Sequence, residues 1–272
     1  AIDAICNGSL ADRDQWVERL TTRDYVTAPL AESSLSMTKG RSGKERLTGL
    51  ASAVPSADKA SHILVCTSDG ECVALVPLGQ PGVEVTLRST WDVTRRLFDV
   101  RFTDVEVDET FILARGQAAQ ERARNFSTQR DFALAADSVG GAAALLEMTI
   151  DYLQMRRQFG RPLAMFQALK HRCADLKVLT SAAEALLLDS LGRLGTQTDD
   201  RGAETMGKMA KYLACSVYSR VAEEALQLHG GIAMTSEHPC HLFLKRALLN
   251  EHLGRHNDSY DLDIAASLLS KP

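Results

Sequence analysis

A short segment in the second half of the chain collects arginine, glutamine and aromatic side chains around a helix break. It reads Arg-Arg-Gln-Phe-Gly-Arg-Pro-Leu from Arg156 to Leu163, and Phe166 and Gln167 follow it. A guanidinium group binds phosphate oxygens in a bidentate manner, and an aromatic face packs against a planar ring. The residue types therefore suit a phosphorylated ligand that carries an aromatic ring. On spacing alone, a helix hairpin with solvated arginines is the simpler interpretation.

A second segment ends a predicted helix in two glycines. It runs Ala-Leu-Gln-Leu-His-Gly-Gly-Ile from Ala225 to Ile232. Gly230 or Gly231 can cap the helix in a left-handed conformation. Glycine also lets the backbone approach a ligand closely. For a double glycine alone, helix capping is the default explanation.

Long helices are predicted to position both segments, because apolar residues recur at steps of three or four from about residue 118. The recurrence begins with Phe132, Ala135, Val139, Ala142, Leu146, Ile150 and Leu153. Small residues at 140–144 indicate close helix packing. Further helices are predicted from about 166 to 194, 204 to 228 and 240 to 253. Their short polar links favour an antiparallel four-helix bundle.

The region from about residue 25 to 113 has a different pattern, with short β-prone runs separated by turn signals. The runs are His62–Cys66, Cys72–Pro77, Val83–Leu87 and Leu97–Val107. Much of the last run alternates apolar and polar residues, as a half-buried antiparallel strand does. We therefore predict the end of a helical domain at 1–24, an antiparallel β-barrel domain at 25–115 and a C-terminal helical bundle at 116–272.

Composition and charge narrow the function classes. The 272 residues include 31 Lys+Arg and 35 Asp+Glu, for a formal net charge of −4, which argues against a general nucleic-acid binder. No apolar run approaches the roughly 18 residues of a membrane helix, so no membrane span is expected. The six cysteines show no zinc spacing and no dense disulfide rhythm. A reduced, cytoplasmic setting is the expectation.

In this order, the two segments resemble the C-terminal helical domain of the acyl-CoA dehydrogenases, FAD enzymes that oxidise the α,β bond of acyl-CoA thioesters. The shared patterns are Arg-x-Gln-Phe-Gly-x-Pro-Leu-x-x-Phe-Gln-x-x-x-His-x-x-Ala-Asp and, downstream, Gln-x-x-Gly-Gly-Ile-Ala-x-x-x-Glu-x-Pro. Upstream, Leu47-Thr-Gly49 and Phe102–Val107 resemble β-domain landmarks. The resemblance covers essentially the whole chain. It implies a mainly α fold with an antiparallel β-barrel middle domain and a C-terminal four-helix bundle, the N-terminal helical domain being mostly absent before Ala1.

The resemblance also implies roles for individual residues. Those that correspond to contacts with the ADP part of FAD are Arg156, Gln158, Phe159, Phe166, Gln167, Gln227 and Gly231. In the family these contacts reach across a dimer interface to the FAD of the neighbouring subunit. The chemistry agrees, because Arg156 supplies positive charge for a pyrophosphate and Gly231 permits a close backbone approach.

The family's catalytic base, a glutamate at one of two sites, has no counterpart at either one. Ungapped counting places Gly254 at the first site and Arg130 at the second, and neither residue can abstract a proton in the usual way. Asp131 and Glu251 are nearby acids that could replace the base. A one-residue step on a helix turns a side chain by about 100°, so Asp131 is expected to point elsewhere. We expect both acids to be ordinary residues of a helix surface.

The flavin side departs from the family as well. Where the family has a Trp-Ile-Thr/Ser segment that packs on the isoalloxazine ring, this chain reads Ala53-Val-Pro55, and the usual Thr-Glu-Pro is altered near Ala31–Ser33. The pattern resembles the small, base-lacking subunit of the heteromeric α2β2 acyl-CoA dehydrogenases of actinobacterial steroid catabolism. It implies a homologous catalytic partner that binds most of the acyl-CoA, FAD as cofactor, and an acceptor similar to electron-transfer flavoprotein.

Three functions stay open at this point. The first is the partner subunit just described, with a steroid side-chain CoA thioester as the substrate of the assembly. The second is a self-sufficient homotetrameric dehydrogenase whose base is Asp131 or Glu251. The third is a non-enzymatic scaffold that has lost FAD. A metal site at His252 and His256, or at His238 and His241, is a weaker interpretation than surface histidines, because no recognisable ligand signature completes either pair.

Overall fold

The computed structural model of the chain describes residues 13–22, 25–40, 44–194 and 200–269. The described chain divides into two compact units, one ending at Ser127 and the other beginning at Thr128. Of the predicted helical end at 1–24, helix α1 (Arg13–Thr22) is described. The rest of that prediction lies outside the described residues.

The first unit contains α1 and two four-stranded sheets. Its strands are β1 (Val26–Thr27), β2 (Ser34–Lys39), β3 (Glu45–Pro55), β4 (His62–Cys66), β5 (Cys72–Pro77), β6 (Val83–Arg88), β7 (Leu97–Val107) and β8 (Ile112–Arg115). One sheet has the order β1-β4-β5-β8 and the other the order β2-β3-β7-β6. The pairs are antiparallel except for β1 and β4, which run parallel.

The predicted antiparallel β architecture is confirmed, and the strand bounds follow from the hydrophobic pattern. Strands β4 and β5 are buried almost throughout, as their continuous apolar runs predict, while β7 alternates buried and exposed residues along much of its length. One face of the unit packs Trp16 of α1 edge-on against His62, with ring centroids 4.9 Å apart. This contact joins the helix to β4.

The second unit is helical. Its elements are α2 (Gly116–Met155, which begins in the first unit), β9 (Arg157–Gln158), β10 (Arg161–Pro162), α3 (Gln167–Arg193), α4 (Asp200–His229), α5 (Cys240–His252) and α6 (Asn257–Leu269). The predicted C-terminal helical region is confirmed, and α3, α4 and α5 begin and end within a few residues of the predicted bounds. Helix α6 is an addition to the four predicted helices.

The small residues of α2 permit the close packing that their sequence indicates. A Cβ added at Gly141 would lie 2.5 Å from Cζ of Tyr218, a buried residue of α4. Any side chain at 141 would therefore displace the tyrosine ring. The core around this contact is formed mainly by alanine, leucine and valine side chains of α2, α3 and α4.

In the described part of the chain, one helix (α2) is long and apolar enough to cross a membrane, by length and composition only. This is weak evidence, because the core helix of a soluble protein passes the same test. Helix α2 also contributes buried residues such as Leu145 and Leu146 to the core of its unit. The absence of a membrane span therefore stays a prediction.

Five of the six cysteines lie in the described residues, and all five are free thiols. Burial raises the pKa of four of them to about 11, namely Cys66, Cys72, Cys215 and Cys240. Burial also raises the pKa of Cys173. These thiols are therefore protonated near neutral pH.

Candidate functional site

The segment after α2 forms a tight hairpin whose tip is an exposed phenylalanine. Strands β9 and β10 pair Gln158 with Arg161, so Phe159 and Gly160 are the two turn residues. Both have positive φ, 52° and 76°, as a type I′ turn requires. This conformation suits Gly160 but costs about 1–2 kcal/mol for a residue with a Cβ. Phe159 is nevertheless 88% exposed, so packing against the described residues contributes little to offset that strain.

Aromatic and cationic groups surround the hairpin tip. The rings of Phe159 and Phe166 lie edge-on, with centroids 6.1 Å apart. Cζ of Arg161 lies 4.1 Å from the centroid of the Phe166 ring. Arg156, Gln158 and Gln167 are exposed. Among the described residues, the Arg156 guanidinium has no carboxylate partner. The hairpin thus presents a free cation beside exposed aromatic and amide groups.

The second predicted segment forms the end of α4. Gly230 has φ of 67° and follows the last helical residue, His229, as a left-handed helix cap does. Gln227 and Gly231 are both exposed. A Cβ placed at Gly231 would meet no atom of the described residues within 4 Å. Capping accounts for Gly230, whereas Gly231 leaves open space beside the backbone.

Two side chains hold these segments together. The ring of Tyr152, near the end of α2, stacks on the ring of His229 with centroids 4.5 Å apart and planes 28° apart. The Tyr152 hydroxyl donates a hydrogen bond of 3.2 Å to the His229 carbonyl oxygen. The backbone N–H of Arg156 in turn donates to the Tyr152 carbonyl at 2.8 Å. Local spacing in the sequence gives no sign of this contact, because Tyr152 and His229 are 77 residues apart in the chain. We call the Tyr152–His229 contact the joint.

The Arg156 hairpin begins four residues after Tyr152, Gln227 and Gly231 are each two residues from His229, and Phe166 contacts the hairpin tip. We call the seven predicted cofactor-contacting residues the cofactor-contact face: Arg156, Gln158, Phe159, Phe166, Gln167, Gln227 and Gly231. Six of the seven are exposed, and Phe166 is partly buried. Their assignment to FAD stays a prediction.

The two predicted base positions meet in space. A Cβ built at Gly254 would lie 3.0 Å from Nε of Arg130 and 2.9 Å from the hydroxyl oxygen of Tyr260. Gly254 has φ of 78°, which favours glycine independently of space. The guanidinium of Arg130 thus fills the space beside Gly254 that a side chain there would need.

Asp131 is not a surface acid, so that expectation is wrong. It is 3% exposed, and its Oδ1 accepts hydrogen bonds from Arg130 (Nη2, 3.1 Å) and from the Tyr260 hydroxyl (2.9 Å). The cause is α6, which places Tyr260 against α2. Glu251 is partly buried near the end of α5. The hydrogen bonds from Arg130 and Tyr260 thus engage the Asp131 carboxylate in contacts within the fold.

A fully buried lysine completes this region. Nζ of Lys211 donates to the carbonyl oxygens of Glu251 and Arg255, both at 3.0 Å, and to Oδ1 of Asn257 at 2.7 Å. Burial lowers the pKa of Lys211. The ammonium ties the end of α5 to the start of α6, on either side of Gly254. We call Arg130, Asp131, Lys211, Gly254 and Tyr260 the base-position cluster.

On the flavin side, the first unit places a small residue where the family has its tryptophan. Ala53 is buried in β3, with φ of 52°, next to a register irregularity between Ala51 and Val54. The backbone N–H of Ala53 donates a hydrogen bond of 3.3 Å to Oδ1 of Asp99. The main chain is thus bulged at this position, and no aromatic side chain is presented there.

One of the two predicted histidine pairs is close, but no metal-binding set surrounds it in the described part of the chain. The rings of His252, the last residue of α5, and His256, in the link before α6, lie 4.6 Å apart. Within ranges 13–22, 25–40, 44–194 and 200–269, no three His, Cys, Asp or Glu side chains are grouped as metal ligands.

Residues 121–269 match the family model described as acyl-CoA dehydrogenase, C-terminal domain. The match covers more than half of the chain, which therefore belongs to the acyl-CoA dehydrogenase family. A curated relative is acyl-CoA dehydrogenase IpdE2 of Mycolicibacterium smegmatis, 43% identical over 114 residues. That alignment covers 42% of this chain and 34% of the relative, so the chain matches about a third of that relative's length.

Solved structures extend the likeness over the chain. Butyryl-CoA dehydrogenase from Megasphaera elsdenii superposes with a TM-score of 0.90 at 21% identity, covering 99% of this chain and 75% of that one. The ChsE4-ChsE5 complex from Mycobacterium tuberculosis gives a TM-score of 0.86 at 25% identity, covering 100% and 74%. The acyl-CoA dehydrogenase fold predicted from the sequence is confirmed.

Proposed function

We propose that this chain is a subunit of a heteromeric, FAD-dependent acyl-CoA dehydrogenase, to which it contributes contacts to the ADP part of FAD rather than the catalytic base. The observation that carries the proposal is the contrast between an exposed, unpartnered cofactor-contact face and a base position filled by Arg130. Family membership supports the cofactor class and the reaction class.

The cofactor-contact face fits the ADP part of FAD in its chemistry. Arg156 provides a cation without a carboxylate partner among the described residues, which suits a pyrophosphate. Phe159 provides an exposed aromatic face for a planar base. The open space at Gly231 lets a ligand approach the main chain. When bound, FAD supplies the hydride acceptor for oxidation of the acyl-CoA α,β bond.

The exposure of these groups also favours a ligand held largely by another subunit. Phe159 keeps a strained backbone, and its ring is 88% exposed among the described residues. Strain of this kind persists at sites where the conformation itself is required. The likeness to the ChsE4-ChsE5 complex supports a homologous partner chain.

The contacts of the base-position cluster favour a structural role for its residues over abstraction of a proton from the substrate. A general base needs a carboxylate within reach of the substrate proton. Arg130 lies against Gly254, and the Asp131 carboxylate is occupied by Arg130 and Tyr260. The self-sufficient enzyme with Asp131 or Glu251 as its base is therefore the weaker alternative, and a scaffold without FAD leaves the exposed face unexplained.

The substrate and the acceptor complete the proposal. Following the resemblance to the steroid branch, the substrate of the assembly is a steroid side-chain CoA thioester bound mainly by the partner. An acceptor similar to electron-transfer flavoprotein receives the electrons. The assembly is α2β2 and cytoplasmic.

A co-expression experiment tests the proposal. Expressed alone, the chain is expected to be insoluble, or to be soluble without flavin absorbance and without dehydrogenase activity. Co-expressed with a homologous catalytic chain, it should yield a complex with fewer than one FAD per chain. Tight binding of one FAD per chain by the lone protein, together with turnover, would overturn the proposal.

A further inference from the structure

The buried side chain of His229 has one nitrogen with a partner and one without. Its Nδ1 lies 2.8 Å from the Ala225 carbonyl oxygen. Because a carbonyl only accepts, Nδ1 carries the hydrogen of the neutral ring. Nε2 is then a lone pair, buried and without a hydrogen-bond partner in the described part of the chain. The residue as a whole is 3% exposed.

This ring lies at the joint between the two halves of the cofactor-contact face. Tyr152 stacks on one side, and the His238 ring lies 4.5 Å away at an interplanar angle of 49°. His229 is two residues from Gln227 and two from Gly231, and Tyr152 is four residues before Arg156. A shift of the ring would therefore move the hairpin relative to the end of α4.

Protonation is the change that would shift this ring. A second N–H at Nε2 would be a buried donor without an acceptor, which is costly in an apolar site. The titratable groups that face the ring are Tyr152 from α2 and His238 from the segment before α5. Burial, together with the charge that His238 carries when protonated, lowers the pKa of His229.

We propose that His229 is a positioning residue whose neutral ring holds the Arg156 hairpin and the Gly230–Gly231 turn in the arrangement that binds the ADP part of FAD. The inference rests on the proposed function. It adds that cofactor retention depends on the protonation state of one histidine, although no atom of that histidine needs to touch the cofactor.

The sign of the pH dependence follows from the lowered pKa. Above the ordinary histidine value of 6.5, the ring is neutral whether the joint is closed or open, so pH has no effect. Below 6.5 the open joint takes up the proton more readily than the closed one. Lower pH therefore favours the open joint and release of FAD.

The test measures FAD retained by the complex of this chain with its catalytic partner after gel filtration, between about pH 5 and 8. Retention by the wild-type complex should fall at least about fivefold as the pH drops below 6.5. In His229→Asn, an amide that cannot take up a proton replaces the ring, and retention should be flat with pH. His256→Asn changes an exposed histidine outside the joint and should match the wild type.

The outcomes distinguish failure of the proposed function from failure of this inference. A complex without FAD at neutral pH overturns the proposed function and this inference with it. A complex that retains FAD at neutral pH, but gives parallel wild-type and His229→Asn pH profiles, overturns the inference alone.

A second variant covers the case in which His229→Asn does not fold. Tyr152→Phe keeps the stacked ring and removes only the hydroxyl bond to the His229 carbonyl. The loss of one hydrogen bond is expected to reduce FAD retention at neutral pH by about fivefold. Unchanged retention in Tyr152→Phe contradicts the role of the joint.

Discussion

Arg130, Asp131 and Lys211 are buried or nearly so and are hydrogen-bonded within the fold, whereas Arg156, Gln158 and Gln227 are exposed. The base-position cluster and the cofactor-contact face both lie at places that the family resemblance marks as functional. In the cluster, each charge has a partner because an unpaired buried charge costs several kcal/mol. In the face, the backbone is strained at Phe159 and the ring of that residue is exposed. The first region stabilises the fold, and the exposure of the second is what the proposed ligand-binding role requires.

Among the substitutions that test this difference, Lys211→Met is expected to reduce stability the most. Removal of the ammonium leaves the Glu251 and Arg255 carbonyls and Asn257 Oδ1 without their donor. The free energy of unfolding should fall by about 3–5 kcal/mol, measured by chemical denaturation. Lys177→Met, at an exposed position of α3, is the control and should change it by less than about 0.5 kcal/mol. Equal effects would show that the buried network adds no stability.

Gly254→Ala tests how tightly the cluster is closed. The added Cβ would approach Arg130 Nε and the Tyr260 hydroxyl at about 3 Å, at a backbone φ that disfavours side chains. Strain and overpacking together should cost about 2–4 kcal/mol of unfolding free energy. Gly140→Ala, where a Cβ on α2 meets open space, should be neutral or stabilising. A stable Gly254→Ala would mean that Arg130 leaves the base position readily.

Arg156→Ala should separate binding from stability. The side chain is exposed, so the unfolding free energy should change by less than about 0.5 kcal/mol. The complex with the partner should lose FAD about 10-fold to 100-fold more readily, because a charge-assisted contact to phosphate is removed. Flavin absorbance after gel filtration measures this. The control is Arg101→Ala, which changes an exposed arginine of β7 and should leave FAD retention unchanged. If Arg156→Ala also leaves retention unchanged, Arg156 does not contact FAD.

Phe159→Asn should change stability slightly, in the direction opposite to Lys211→Met and Gly254→Ala. Asparagine tolerates the left-handed conformation, and the exposed ring contributes little burial. A gain of about 0.5–1 kcal/mol in unfolding free energy is expected, with weaker FAD retention in the complex. A loss of stability would show that the ring packs within its own chain, and unchanged retention would show that the strained tip serves no ligand.

Strong periodicity made much of the fold predictable. The sequence predicts β4 and β5 with the bounds that the structure has, because their apolar runs end at turn residues. Helix α6 was missed because its stability comes from long-range bonds, in which Asn257 accepts from Lys211 and Tyr260 donates to Asp131. The parallel pairing of β1 with β4 was missed because two residues carry no periodicity.

For the candidate sites too, local motifs were readable from the sequence, whereas contacts between distant residues were not. The cofactor-contact residues were assigned from two continuous motifs that resemble the family, and the assignment stays a prediction. The contact of Arg130 with Gly254 and the stack of Tyr152 on His229 join residues far apart in the chain, so local spacing carried no sign of them. Likewise, Asp131 was expected on the surface because nothing local reveals that α6 covers it.

The free thiols of the two units provide built-in reporters of local opening. With a pKa of about 11, only about one thiol in a thousand is ionised at pH 8, and the side chains of Cys72, Cys215 and Cys240 are buried. Alkylation of the native protein is therefore slow at these positions until the surrounding structure opens. Mass spectrometry of alkylated peptides then follows the β-sheet unit through Cys72 and the helical unit through Cys215 and Cys240, without any engineered cysteine.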